Sequence, residues 1–173
     1  APLLDPAKVA TLKGDRPANQ RLYKILFWVE TARRAGGDPA GVITAAQRVA
    51  GYEGTVAATE DKAAVVSNRE KLEALGCLTA EGMADLRKGA SPTISKGPQA
   101  GTEIHLDHIL PIKIVPELAA RFFNLDAITS HENEVKGAKV GKRELELARR
   151  WHREGLISSD GFKAVESAAS VLP

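Results

Sequence analysis

One stretch of this sequence breaks the rhythm of the rest and so limits the folds open to it. Along most of the chain, apolar residues recur every three to four positions, the spacing of one helical face. From Thr102 to Ile109 they alternate loosely instead, among β-branched neighbours, and Pro111 ends the run. Asn124 to Thr129 (NLDAIT) reads as a second short strand, and Ser130 can cap a short helix that begins at His131. The order is strand, long connection, strand, helix. The expected fold is therefore α+β and mostly helical, with one small strand–strand–helix motif packed against an N-terminal helical portion.

The helical remainder is punctuated clearly. Leu22, Ile25, Leu26 and Val29 predict a first helix from Ala18 to Arg34, stopped by Gly36-Gly37. Asp38-Pro39 opens a second that runs to about Ala50. Thr59 is the expected cap of a long helix through Ala74, and Thr79 of a shorter one through Lys88, ended by Gly89. Leu72, Leu75, Leu78, Met83 and Leu86 would give these two a shared core. Ala90 to Ala100 reads as a surface connector with Lys96 as its phosphate candidate; Arg87 and Lys88 are weaker ones. Beyond the motif, Lys142 to Glu154 should form a helix with Leu145, Ala148 and Trp151 inward. Ser158 or Ser159 should cap a last helix carrying Phe162, Val165 and Ala169. Residues 1–17, with three prolines, read as an extended arm with at most one helical turn. The organisation expected is a helical subregion over 1–100 and the motif with its C-terminal helices over 101–173, within one compact domain.

The chain has 173 residues, 43% of them hydrophobic, which suits one moderate domain and is too short for two full ones. Its net charge of +2 does not announce a nucleic-acid binder. Locally the balance differs. Between Lys136 and Arg153 seven Lys and Arg face two Glu, a density that suits a phosphate backbone and equally a solvated helix face. Cys77 is the single cysteine, so neither an internal disulfide nor a Cys-rich zinc site is open to the chain. No run is long and apolar enough to span a membrane. Ala1 in place of Met fits a removed signal peptide or a trimmed chain alike, so both cytoplasmic and secreted locations stay open.

Several residues near the strands could carry chemistry. Hydrolysis of a phosphodiester needs a cation to neutralise charge in the transition state, a base for the attacking water, and stabilisation of the leaving oxygen. Asp107 and Asn133 offer two oxygen ligands from different elements, which suits Mg²⁺ or Mn²⁺ better than Zn²⁺. His108 has the side chain whose ordinary pKa lies near neutrality, and Lys136 could meet a phosphate oxygen. Asn133 and Lys136, three apart on a helix, share a face. On a regular strand His105 and Asp107 share one face and His108 points to the other, unless the backbone bends there. His105 is thus placed to touch substrate or orient a ligand, although a core or surface role is the stronger reading for it. His131 reads as exposed, His152 as uninvolved, and Trp151 as a packing anchor rather than a base-stacking platform.

Asp107, His108, Asn124, Asn133 and Lys136, closing on Gly137, resemble the HNH nuclease family and its ββα-metal motif. Asn124 follows His108 by sixteen positions and Asn133 follows Asn124 by nine, the usual spacing of that family. The resemblance covers Gly101–Gly137, roughly a fifth of the chain. It implies that Asp107 and Asn133 bind one Mg²⁺ (or Mn²⁺) and that His108 activates water. It also implies that Asn124 braces the loop by hydrogen bonds. Lys136, His105 on its strand face, and Lys139 and Arg143 from the basic run are the candidate substrate-binding residues. The partner implied is nucleic acid, double-stranded DNA before RNA, met through its backbone and minor groove. Three departures stand out. The Cys pairs of many relatives are missing, the connection PIKIVPELAARFF is not Gly-rich, and the last ligand is Asn rather than His. The function expected is metal-dependent endonuclease. A non-catalytic nucleic-acid-binding module on the same fold is the alternative, and a helical interaction protein with a coincidental motif comes third.

Overall fold

A computed structural model describes residues 18–136 and 139–170 of the protein. Four helices lead: α1 (Ala18–Arg34), α2 (Pro39–Val49), α3 (Val56–Ala74) and α4 (Ala80–Lys88). Two antiparallel strands follow, β1 (His105–His108) and β2 (Leu125–Ile128), then α5 (Ser130–Lys136), α6 (Lys142–Arg153) and α7 (Ser159–Ser170). The fold is α+β and mostly helical with one small sheet, as the sequence predicts. The arm expected over 1–17 lies outside the described residues.

Most caps sit where side-chain chemistry puts them. The Asp38 carboxylate accepts from the Ala40 and Gly41 amides with Pro39 in the first turn of α2. Thr79 accepts from the Gly82 amide, and Gly89 ends α4 at φ 83°, a left-handed conformation that favours glycine. The start of α3 differs from expectation. Thr55, not Thr59, is the cap, accepting from the Ala58 amide at 3.1 Å. Gly54, at φ 78°, turns the chain one residue earlier, so helical geometry begins at Val56 and Thr59 falls inside it. Thr129 rather than Ser130 caps α5. Its hydroxyl accepts from the Glu132 amide, and the Glu132 carboxylate accepts from the Thr129 amide at 2.7 Å, a reciprocal capping box. The strands are shorter than predicted: Glu103 pairs instead with Thr93 in an isolated bridge, and Asn124 belongs to a 3-10 turn (Phe122–Asn124).

The core has two parts. Leu22, Leu26, Val65, Leu72 and Leu86 from α1, α3 and α4 pack with Leu106, Leu125 and Ala127 from the strands. Leu110, Val115, Leu118 and Phe123 pack with Val140, Ala148, Trp151, Ile157 and Val165 around α6 and α7. The sheet therefore shares its core with the N-terminal helices, across the 100/101 division expected from sequence. Adjacent residues of one 3-10 turn, Phe122 and Phe123, serve the two parts separately, so that turn ties the halves together.

Buried charge is concentrated on α1 and α3. The Glu30 side chain is fully buried and accepts from Arg33, Arg34 and Arg69 at 2.8–3.0 Å. Burial alone pulls its pKa up; the guanidinium hydrogen bonds outweigh that and hold it at about 2. Asp61 goes the other way. It is buried on α3, accepts from the Phe123 amide at 3.0 Å and from the Tyr52 hydroxyl at 3.2 Å, and burial pushes its pKa from 3.8 to about 6 against those bonds.

That shift has a defined sign. Across the window from 3.8 to about 6 the unfolded chain gives up the Asp61 proton while the folded protein keeps it. Stability contributed by this group is greatest below the window and falls as pH rises through it. Asp61→Asn cannot ionise and can still accept from the Phe123 amide. Between about pH 4 and about pH 7, urea denaturation should show Asp61→Asn gaining about 3 kcal/mol relative to the parent. A difference that does not change with pH would remove Asp61 as the titrating group.

Candidate active site

The register of the two strands decides which side chains meet. Leu106 pairs with Ala127 and His108 with Leu125, on the face buried against the helices. Asp107 pairs with Asp126 on the opposite face. Two carboxylates directly opposite each other repel. Each is answered by a lysine from a different helix: Lys71 of α3 binds the Asp126 carboxylate, and Lys136, the last residue of α5, binds Asp107. The Lys136 ammonium also donates to the His108 carbonyl.

These groups line a cleft of about 310 Å³ with Ile109, Ile128, Glu132, Arg143 and Glu144. Three cations face four carboxylates there, one negative charge in excess. Arg143 enters from the first turn of α6 and makes no ion pair or hydrogen bond among the described residues. Its helix is fixed to α3, because Arg150 grips Glu60 through both carboxylate oxygens at 2.8–2.9 Å and the Trp151 indole donates to the same carboxylate at 3.2 Å. Trp151 is buried against Phe123, a packing anchor as expected. A larger groove of about 620 Å³ between α3 and α6 adjoins the cleft and shares Lys71, Ile109, Asp126 and Arg143 with it.

Asn124 is fully buried, and its amide closes a two-way bond with the backbone of Leu110. The Leu110 amide donates to Oδ1 at 2.8 Å, and Nδ2 donates to the Leu110 carbonyl at 3.0 Å. It fixes the turn that leaves β1 and takes no direct part in the cleft. Asn133 lies exposed on α5, one turn before Lys136. His105 is half-buried and shares a 3.2 Å hydrogen bond between Nε2 and the Ser130 hydroxyl, so it links β1 to the start of α5. His108 follows the regular alternation. It does not line the cleft, and its Nε2 is enclosed without a hydrogen-bond partner. Of the predicted site residues, Asp107, Lys136 and Arg143 converge on the cleft. His108, Asn124, Asn133, His105 and Lys139 are not among the residues that line it. Lys139 is exposed just beyond 137–138, which lie outside the described residues, and His131 is exposed.

Sequence reasoning missed four contributors. Lys71 and Asp126 enter the cleft as a pair, and Asn68, 1% exposed, clamps the free edge of β2. Its Nδ2 donates to the Leu125 carbonyl at 3.0 Å and its Oδ1 accepts from the Ala127 amide at 2.6 Å. Asp61, two turns earlier on α3, holds the Phe123 amide. A polar residue in line with Val65 and Leu72 was the available signal for Asn68; nothing local marked Lys71.

No group of three or more His, Cys, Asp or Glu able to hold a metal occurs among the described residues. The pair inferred from sequence is smaller, Asp107 with the Asn133 carboxamide, and consists of oxygen donors alone. That set fits a hard cation such as Mg²⁺, which keeps several waters and needs few protein ligands. The Lys136 ammonium sits between the Asp107 carboxylate and the His108 carbonyl, and Asn133 does not line the cleft with Asp107. The Cys77 thiol is buried and its pKa is pushed up to about 11, which leaves it chemically inert. No helix among the described residues is long and apolar enough to cross a membrane. No protein-family model, curated protein or solved structure matches this chain.

Proposed function

We propose that the protein is a metal-dependent endonuclease of the HNH kind, hydrolysing phosphodiester bonds in DNA. The observation that carries this reading is the joint placement of three motif residues. Asp107 faces the cleft, Lys136 reaches it from the following helix, and Asn124 ties down the turn after β1. Asp107 and Asn133 would hold the Mg²⁺ or Mn²⁺. When bound, the cation supplies charge neutralisation at the phosphate and stabilises the leaving 3′ oxygen. Lys136 and Arg143 hold the nonbridging phosphate oxygens, and the free guanidinium of Arg143 is suited to that by its fork of donors. His108 takes the proton of the attacking water. Its Nε2 is enclosed without a hydrogen-bond partner and off the cleft, so this role requires the ring to turn toward the bound phosphate.

One observation favours a second reading. The His108 ring lies off the cleft that Asp107 lines, as it would in a nucleic-acid-binding module that keeps the fold without the chemistry. Plasmid cleavage separates the two. Supercoiled plasmid should be nicked by the parent with Mg²⁺ or Mn²⁺, not with EDTA, and His108→Ala should be slower by a factor of about 100 or more. Binding of plasmid without cleavage in any metal would establish the module instead, and cleavage undiminished in His108→Ala would remove His108 as the base.

A further inference from the structure

We propose that Lys136 occupies the cation position of the free protein and surrenders Asp107 when a divalent cation binds, so that cation and polynucleotide bind in that order. This rests on the nuclease reading of the cleft and adds to it a role for Lys136 in metal competition. The starting point is the like-charged pair Asp107 and Asp126 on opposed strands. Without an added cation such a pair needs neutralising, and each carboxylate has a lysine of its own. The two lysines are not equivalent. Lys71 meets Asp126 alone from the rigid α3, and its side chain is 40% exposed. Lys136 is 24% exposed and is held by two oxygens of different kinds, the Asp107 carboxylate and the His108 carbonyl. An anionic and a neutral oxygen converging on one positive centre are the donors a hard divalent ion takes.

The helix that carries Lys136 is built to let go. α5 has seven residues and buries none of them. It is pinned at its first turn by the Thr129–Glu132 capping box and at its last residue by Lys136. Release of Lys136 removes the contact at the last residue of α5 and leaves the capping box in place. Asn133, one turn earlier on the same face, would complete the ligand pair. The charge balance sets the order. Three cations against four carboxylates give a phosphate diester no electrostatic reason to enter. A divalent ion reverses the sign of the cleft, and the released ammonium then meets the phosphate.

Manganese binding without nucleic acid tests this directly. Free Mn²⁺ would be followed by electron paramagnetic resonance against the parent, Lys136→Met, Lys71→Met and Asp107→Ala. If Lys136 occupies the site about nine-tenths of the time, its removal tightens Mn²⁺ binding about tenfold. Lys71→Met removes the same charge from the same cleft and measures the general electrostatic gain, which should be much smaller. Asp107→Ala should abolish the binding. In parallel, a fluorescein-labelled duplex should bind the parent with Ca²⁺ present and lose that binding in EDTA. A gain in Lys136→Met no larger than in Lys71→Met, with parent binding that depends on Asp107, would overturn the competition and leave the nuclease reading standing. Absence of Mn²⁺ binding in both the parent and Lys136→Met would overturn both.

Discussion

Asp107→Ala should slow plasmid cleavage about a thousandfold and leave the fold intact. The rate follows from the role of the carboxylate. It is the one anionic ligand of the proposed pair, and a metal's stabilisation of the phosphoryl transition state is worth several kcal/mol, with each 1.36 kcal/mol a factor of ten in rate. The stability follows from position. Asp107 is half-buried on the cleft face, pairs with no core residue, and stands directly across from a like charge. Its loss relieves that repulsion, and Lys136 keeps the His108 carbonyl as a partner. Thermal denaturation of Asp107→Ala should therefore match the parent within about 0.5 kcal/mol, the range expected away from buried features. Asn124→Ala is the informative contrast. It strands the Leu110 amide and carbonyl in a buried setting, so it should lose activity and stability together. An Asp107→Ala variant that cleaves at the parent rate would exclude the metal-ligand role outright.

The parts of this site that the sequence revealed are those fixed by neighbours along the chain. Asp107, Asn124 and Lys136 were found by spacing, and alternation alone said that Asp107 and His108 would part company at the end of β1. Strand pairing bears that out, because the ladder runs unbulged from His105 to His108. Other features depended on contacts between distant segments. Asp126 acquires meaning only through its register opposite Asp107. Lys71 comes from a helix more than fifty residues away, whose exposed face offers many lysines and glutamates of equal local standing. The cap of α3 shows the same limit at short range. Thr55 and Thr59 are chemically identical candidates, and the left-handed turn at Gly54 decides between them. That the motif packs against the N-terminal helices is expected from sequence, but which residues meet is not: Leu106, Leu125 and Ala127 are ordinary apolar residues, and only packing reveals their partners.

Away from the cleft, Asn68→Leu should be a costly change. A two-stranded sheet has a free edge on each strand, and an unpaired edge that is buried leaves backbone groups without partners. On β2 those groups are the Leu125 carbonyl and the Ala127 amide, and the Asn68 carboxamide satisfies both, in effect standing in for a third strand. Leucine branches at Cγ as asparagine does, so the substitution opens no cavity and exchanges the polar atoms for bulkier methyls. Each stranded group costs on the order of 1–3 kcal/mol, which together gives a loss of about 4 kcal/mol. For a domain of this size that lowers the melting temperature by roughly 10 °C. Asn68→Asp should do no better, since it keeps the acceptor for Ala127 but loses the donor and places a charge at a site 1% exposed. Ser67→Ala, one residue away and facing the groove between α3 and α6, should cost almost nothing. Urea denaturation of the three variants reads these differences directly. The effect should also reach the chemistry, because β2 carries Asp126 and follows Asn124, so an edge that frays moves the partner strand of Asp107. If Asn68→Leu loses less than about 1 kcal/mol, water satisfies the β2 edge as well as the asparagine does, and the clamp is not what holds the sheet to α3.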